Sequence, residues 1–370
     1  MLILLNHRSR NGLFRLAHIP GAAAHLRLCI CLWLAFGGGV HAQQANREDD
    51  VINAMRHLPA INASDQRRIA DWVERQVKKF TPAEGGIDFT TFRDRFAAQY
   101  GHLSNSQQFR LQLASQTAQV AAKHFGRPNL KASVAFSLAS VLTNMNRLET
   151  LPGLIAGLVS SDARARYMCA KGLASQKRLI AADKAKLEQT LQGLRAAGEA
   201  ESDPVVLGRI YEALAFPGQP AAVVDSYVKL FDKRLALRRG AAVIVDGAEI
   251  YAYEFLRTPG VVNALDAGRK SGLVVRLAVF LRIDAERYSF ANLHFDEIDR
   301  IERSLEHVEA ILSSVAGNSK GRKIRDALSA GGHGNRQAVL LEAYRWVGDP
   351  NNNTPGALNE APWNVPVGAP

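Results

Sequence analysis

The sequence predicts an all-α protein, an α-solenoid or superhelix of irregular antiparallel helix pairs, and three observations carry that prediction. Apolar residues recur at helical spacing through almost every segment after residue 42. Two segments, Ser161–Ala174 and Ser202–Ala215, repeat each other at a fixed offset of 41 residues. Of the 370 residues, 47% are hydrophobic but only 7% aromatic, a balance that suits helices packed closely through alanine and leucine. A lone helix pair cannot bury its own apolar face, so repeating pairs must stack.

Residues 1–42 read as a secretory signal peptide. Arg8, Arg10, Arg15 and Arg27 precede an apolar run, Leu28–Val40, and Val40-His41-Ala42 has the small-x-small form that signal peptidase cuts. The run is shorter than the roughly 20 apolar residues that span a bilayer. No transmembrane span is therefore expected after cleavage near Ala42, and the chain is expected to be exported, periplasmic or extracellular. Losing the four leader arginines lowers the formal charge from +11 to +7. Cys29 and Cys31 leave with the leader, so Cys169 stands alone and no intramolecular disulfide is expected.

An N-terminal helical segment, 43–104, comes first. Asp65–Phe80 sets Ile69, Trp72, Val73, Val77 and Phe80 on one stripe, with Ser64 as the expected N-cap. Thr81-Pro82 and Gly85-Gly86 break the chain before a short amphipathic helix, Phe89–Tyr100. The repeat region, 105–257, opens with Ser106–Phe125 and the alanine-rich, core-type Leu130–Met145. A helix from near Leu148 stops at Ser160-Ser161, and the next begins at Asp162. Asp183–Ala197 places Leu187, Leu191 and Leu194 on one face. Its partner starts at Asp203-Pro204, a cap followed by proline at the first helical position. After Phe216-Pro217-Gly218 comes Gln219–Leu237, with Val223, Tyr227, Leu230 and Phe231 inward.

The 41-residue repeat aligns Ser161 with Ser202, Asp162 with Asp203, Leu173 with Leu214 and Ala174 with Ala215, without a gap. A third segment, Lys131–Ser140, sets Leu138-Ala139 against Leu173-Ala174 at an offset of 35. The stretch "DPVVLGRIYEALA" resembles the second helix of a HEAT or armadillo-type repeat in its Asp-Pro start, its apolar and small residues and its Ala-Leu. "DARARYMCAKGLA" resembles it too, with Arg166 near the position where that helix often carries arginine. Asp162 is not followed by proline, and Leu207 stands in place of the arginine. The resemblance covers two repeats clearly and implies an architecture, not an activity.

Ala241–Phe255 reads two ways. Its β-branched residues around Asp246-Gly247 form a hairpin signal. As a helix it places Ile244, Val245, Ala248, Tyr251, Ala252 and Phe255 on one face, and the helical context favours that reading. The C-terminal helical segment, 258–347, holds Leu273–Tyr288, Phe295–Val315, Ile324–Leu328 and Gln337–Trp346. Residues 348–370 are a Pro/Asn/Gly-rich tail without periodicity, with Trp363 as its expected anchor if it lies over the last helices.

Candidates for chemistry are few. Cys169 lies two turns into its helix, aligned with Ile210, and reads as a core thiol. Ala316–Lys323, "AGNSKGRK", lacks the Gly-Lys-Ser/Thr ending of a phosphate loop, and Gly331–Asn335 reads as a turn exposing His333. In His294–Glu302, His294 and Glu297 are too few for a metal site, and the acids there favour the helix dipole. The remaining histidines are scattered, and neither an HExxH site nor a GxSxG elbow is present. No cofactor is implied.

The densest cations are Lys229, Lys233, Arg234, Arg238 and Arg239, which read as a solvated helix face. With Lys320, Arg322 and Lys323 they are the candidate contacts for an anionic or protein partner. The run has no interleaved aromatics, so it carries no specific nucleic-acid signal. The expectation is an exported, non-catalytic helical-repeat scaffold for a protein or peptide partner. The alternatives are a binder of an anionic envelope polymer, or an α/α enzyme whose site is assembled from distant residues.

Overall fold

The structure, a computed structural model, describes residues 49–80, 89–238, 245–290, 292–316, 323–331 and 336–367. The expected signal peptide, the breaks at 81–88, and Arg239, Lys320, Arg322 and His333 lie outside the described residues. Helices dominate, with no β-strand among the described residues. Residues 49–55 are helical and count as α1, and from residue 55 onward the chain forms one compact unit.

In chain order that unit runs α2 (Ala63–Lys79), α3 (Phe89–Gly101), α4 (Gln107–Phe125), α5 (Ala132–Met145), a 3-10 turn (Leu148–Thr150) and α6 (Leu151–Gly157). Then come α7 (Ala163–Ser175), α8 (Lys177–Ala181), α9 (Lys184–Ala200), α10 (Pro204–Leu214) and α11 (Pro220–Arg238). The series closes with α12 (Ile250–Leu256), α13 (Ala267–Phe290), α14 (Phe295–Ala316), α15 (Lys323–Gly331) and α16 (Arg336–Val347). Side-chain caps start these helices by satisfying amides that have no intrahelical acceptor. Ser106 caps α4, Asp162 caps α7, Asp183 caps α9 and Asp203 caps α10. At α2 the cap is Asn62 rather than Ser64, because the Asn62 amide oxygen accepts from both the Ser64 and Asp65 amides.

Most helices pack extensively on the one about two places away in the chain, while α14 packs most on α13 and α15 on α16. One row runs α2, α4, α6, α9, α11, α13, α16, and the other α3, α5, α7, α10, α12, α14, α15. Chain neighbours such as α6 and α7, α9 and α10, or α13 and α14 meet across the rows. Two ion pairs fix the relation of α11 to α13: Asp225 with Arg269 and Asp232 with Arg276, each at 2.8 Å. Both pairs step forward by the same interval, so the two helices run parallel.

Apolar faces fill the space between the rows. Trp72, Phe92 and Phe96 pack together near the N-terminal end, and Tyr211, Tyr227, Phe231, Tyr253 and Phe280 farther along. Cys169 and Ile210, aligned by the repeat, are both fully buried. Gly157 is required where α6 meets α7, since a Cβ there would collide with Cys169 Sγ and come within 3.0 Å of the Phe125 ring.

Two expectations change. Within 245–255 the helix begins only at Ile250, not upstream. Gly247 takes a left-handed φ of 77° and the Asp246 carboxylate accepts the Ala248 amide, so the preceding residues form a turn. The C-terminal tail lies over α16, but its anchors are Leu358 and Val365, both buried, while Trp363 is half-buried. The tail is held by Ala357 and Leu358 amides donating to the Arg345 and Trp346 carbonyls and by the Asn359 side chain donating to Val347.

Candidate functional site

The cationic run on α11 divides between interior and surface. Arg234 and Arg238, expected on a solvated face, are turned inward and buried. The reason is a set of carboxylates delivered by other elements. Arg238 donates to Asp284 of α13 at 2.6 Å and to Glu249 at 2.8 Å, and Arg234 donates to Asp246 at 2.7 Å and to Glu249. Ser304 of α14 donates to the other Asp284 oxygen at 2.6 Å, and the Arg238 guanidinium lies 4.8 Å from the Phe280 ring centroid. The cluster ties α11, α12, α13 and α14 together.

Three carboxylates therefore face two guanidiniums. Burial pushes the Glu249 carboxyl up, but the Arg238 and Arg234 charges outweigh it and hold it below its ordinary value. Asp284 goes the other way, because burial outweighs the pull of Arg238 and Ser304. Burial works against the Arg238 charge, yet Asp284 and Glu249 hold its proton more tightly than usual. This is a structural clamp whose guanidiniums are already paired.

Of the other predicted contacts, Lys229 is exposed and Lys233 donates to the Glu199 carbonyl. Lys323 is exposed at the start of α15 and lines a cleft of about 420 Å³ beside Glu342, Arg345 and Glu360. The positive end of α15 is occupied from within: the Ile324 and Arg325 amides donate to the Glu309 carboxylate at 2.8 and 3.1 Å. Burial pushes the Glu309 carboxyl up in spite of those bonds.

Cys169 is closed to solvent, and burial pushes its thiol well above the ordinary value. In His294–Glu302, Glu297 accepts from the Val245 amide and from Arg287, so it joins α14 to the turn before α12 and to α13. His294 is exposed, 3.9 Å from Asp296. Among the described residues no group of three or more His, Cys, Asp or Glu is placed to hold a metal ion.

The side chains that do gather on an accessible face are arginines and aromatics of the second row. Arg93 lies 4.4 Å over the Phe89 ring of α3, Phe89 stacks on Phe136 of α5 at 5.2 Å, and Arg164 of α7 lies 5.5 Å over Phe136. One turn along α7, Tyr167 stands 5.1 Å from the Arg209 guanidinium of α10, whose other neighbour is the Tyr251 ring of α12 at 5.7 Å. Arg209 thus sits between two tyrosines that precede and follow it by the same number of residues. It is also paired with Glu212.

Tyr251 is 37% exposed and the other members of the strip are half-buried or exposed. Such stacks hold flat, amphipathic side chains at a surface with little rotamer freedom left to lose. Sequence reasoning did not single out Tyr167 or Arg209, and it set Tyr251 on the apolar face of a helix, whereas the side chain is exposed. The signal was present in their even spacing, but it lies one residue off the 41-residue alignment because the contacts run diagonally between neighbouring helices. The chain matches no protein-family model, no curated protein and no solved structure.

Proposed function

We propose that the chain is an exported, HEAT-like α-solenoid that serves as an interaction scaffold, and that a protein or peptide partner lies along the α7–α10–α12 face. The two rows of helices and the parallel, evenly offset α11 and α13 support the solenoid reading. The charged leader with its apolar run supports export.

The observation that carries the binding reading is the Tyr167–Arg209–Tyr251 stack. Tyrosine and arginine dominate the energetics of protein interfaces, because each offers large contact area together with a polar end. Here they are aligned across three successive helices of one row, a surface on which an extended peptide or a helix meets one stacked pair per repeat.

Selection of a displayed random-peptide library on the purified protein tests this. The expected result is enrichment of related sequences whose binding falls at least about tenfold, or ~1.4 kcal/mol, in Arg209→Ala and Tyr251→Ala, with unchanged helix content. Failure to enrich any sequence, or enriched peptides that bind both variants as well as the parent, would overturn the reading.

A further inference from the structure

A second accessible cleft lies at the other end of the α12–α14 pair. It encloses about 340 Å³ between the turns that follow α12 and the last two turns of α14. Arg257, Thr258, Asn263 and Ser314 supply its polar wall, and Val262 and Ile311 part of its apolar floor. Gly260, at φ 86°, allows the chain to turn along the rim.

The charge around this cleft is unbalanced. Arg257 donates to His307 Nδ1 at 2.7 Å, so this imidazole nitrogen is the acceptor and the ring is neutral. Arg303, four residues before His307 on α14, acts on the same ring. Neither Arg257 nor Arg303 has a carboxylate within ion-pair distance among the described residues. Arginines elsewhere divide: Arg166, Arg234, Arg238, Arg269 and Arg276 each hold at least one carboxylate, whereas Arg56 and Arg147 are held by the neutral side chains of Gln99 and Tyr100. Burial and the two guanidiniums push the His307 imidazole down to about 4, the behaviour of a pocket that lacks a counter-charge.

We propose that this cleft binds a tetrahedral oxyanion, a phosphate group, gripped by the Arg257 guanidinium with Thr258, Ser314 and Asn263 as further donors. A guanidinium fork matches two oxygens of a phosphate in one plane. The one guanidinium on the cleft wall, with hydroxyl and amide donors around it, favours a tetrahedral anion with several oxygens over a planar carboxylate. His307 holds Arg257 in place through its acceptor nitrogen, and a bound anion would relieve the repulsion on that ring. The phosphate is free in solution or carried as a monoester on a larger molecule, and the apolar floor gives the second form something to contact.

The test follows His307 by NMR in the full chain while inorganic phosphate, glycerol 3-phosphate or acetate is added, first at about pH 7.5, where the phosphates are mainly dianions, and then across the acid range that sets its titration midpoint. The expected result is a saturable shift with half-saturation near or below about 1 mM for phosphate, together with a rise in the His307 titration midpoint. Equal binding of the two phosphates marks the free ion as sufficient; tighter binding of the ester marks the floor as part of the site. Arg257→Gln should weaken the response at least about tenfold. Arg303→Gln, at an exposed position, keeps the test open if the first variant is poorly folded and should weaken it several-fold. A linear, unsaturable response, acetate binding as well as phosphate, or variants that respond like the parent would overturn the proposal.

Discussion

Arg238 donates to Asp284 at 2.6 Å with both side chains all but closed to solvent. This places a full ion pair inside the helical stack, held by Glu249 on one side and Ser304 on the other. Removing one member leaves the other charged and without compensation. Arg238→Ala is therefore expected to cost roughly 3–5 kcal/mol in urea unfolding. Arg269→Ala removes an exposed pair with Asp225 on the same two helices and should cost less than about 1 kcal/mol. Equal losses in the two variants would show that the buried cluster is not the stronger tie.

The helices themselves were legible because their signals are local. Asp162, Asp183 and Asp203 each stand just before an apolar-periodic run and each accepts helix amides; Asp203 is the expected cap, while Asp183, expected as the first residue of its helix, is its cap instead. The fate of Arg234 and Arg238 was not legible, since helical spacing of cations looks the same on a solvated face and on a clamp. What decides it is the arrival of Asp246, Glu249 and Asp284 from downstream elements, a tertiary fact with no local pattern. The tail shows the same limit: Leu358 and Val365 carry no periodicity, whereas the larger Trp363 drew attention and is only half-buried.

Gly157 and Cys169 meet so closely that a methyl group at position 157 has no room. Gly157→Ala should lower stability by about 1–3 kcal/mol through overpacking. Cys169→Ala removes the nearest obstructing atom, so the double variant should lose less than the sum of the single losses, the remainder coming from Phe125. Strict additivity would mean that the clash lies elsewhere. The native thiol, buried with its proton held tightly, should react with a thiol reagent only as fast as the protein unfolds.

Leu358 and Val365 bring the tail down onto the last helix, and the Val365 amide donates to the Leu358 carbonyl at 2.8 Å. The tail thereby covers the end of α16, to whose carbonyls it donates. Leu358→Ala should cost about 2–4 kcal/mol by chemical unfolding, and Trp363→Ala distinctly less. The reverse order would make Trp363 the anchor after all.

His307 gives the fold a dependence on pH whose sign can be worked out. Its imidazole sits near 4 in the folded chain against an ordinary 6.5, through burial and the charges of Arg257 and Arg303. As pH falls through 6.5 the unfolded chain takes up a proton that the folded chain refuses until about pH 4. Stability should therefore decline between those values and level off below them. The side chain is partly open to solvent, so screening reduces the effect to on the order of 1 kcal/mol. Glu74, Glu201 and Glu297 behave oppositely in range: their carboxyls are held low, so the stability they give is lost only below about the ordinary carboxylate value. Urea unfolding of the parent and His307→Gln between pH 7.5 and 3, in phosphate-free buffer, separates the two ranges. The variant should lose less stability across the upper range and track the parent below it. Added phosphate should flatten the parent curve toward that of the variant, because an anion beside Arg257 lets the folded chain accept the proton earlier. Parallel curves for the two proteins would remove His307 as the source.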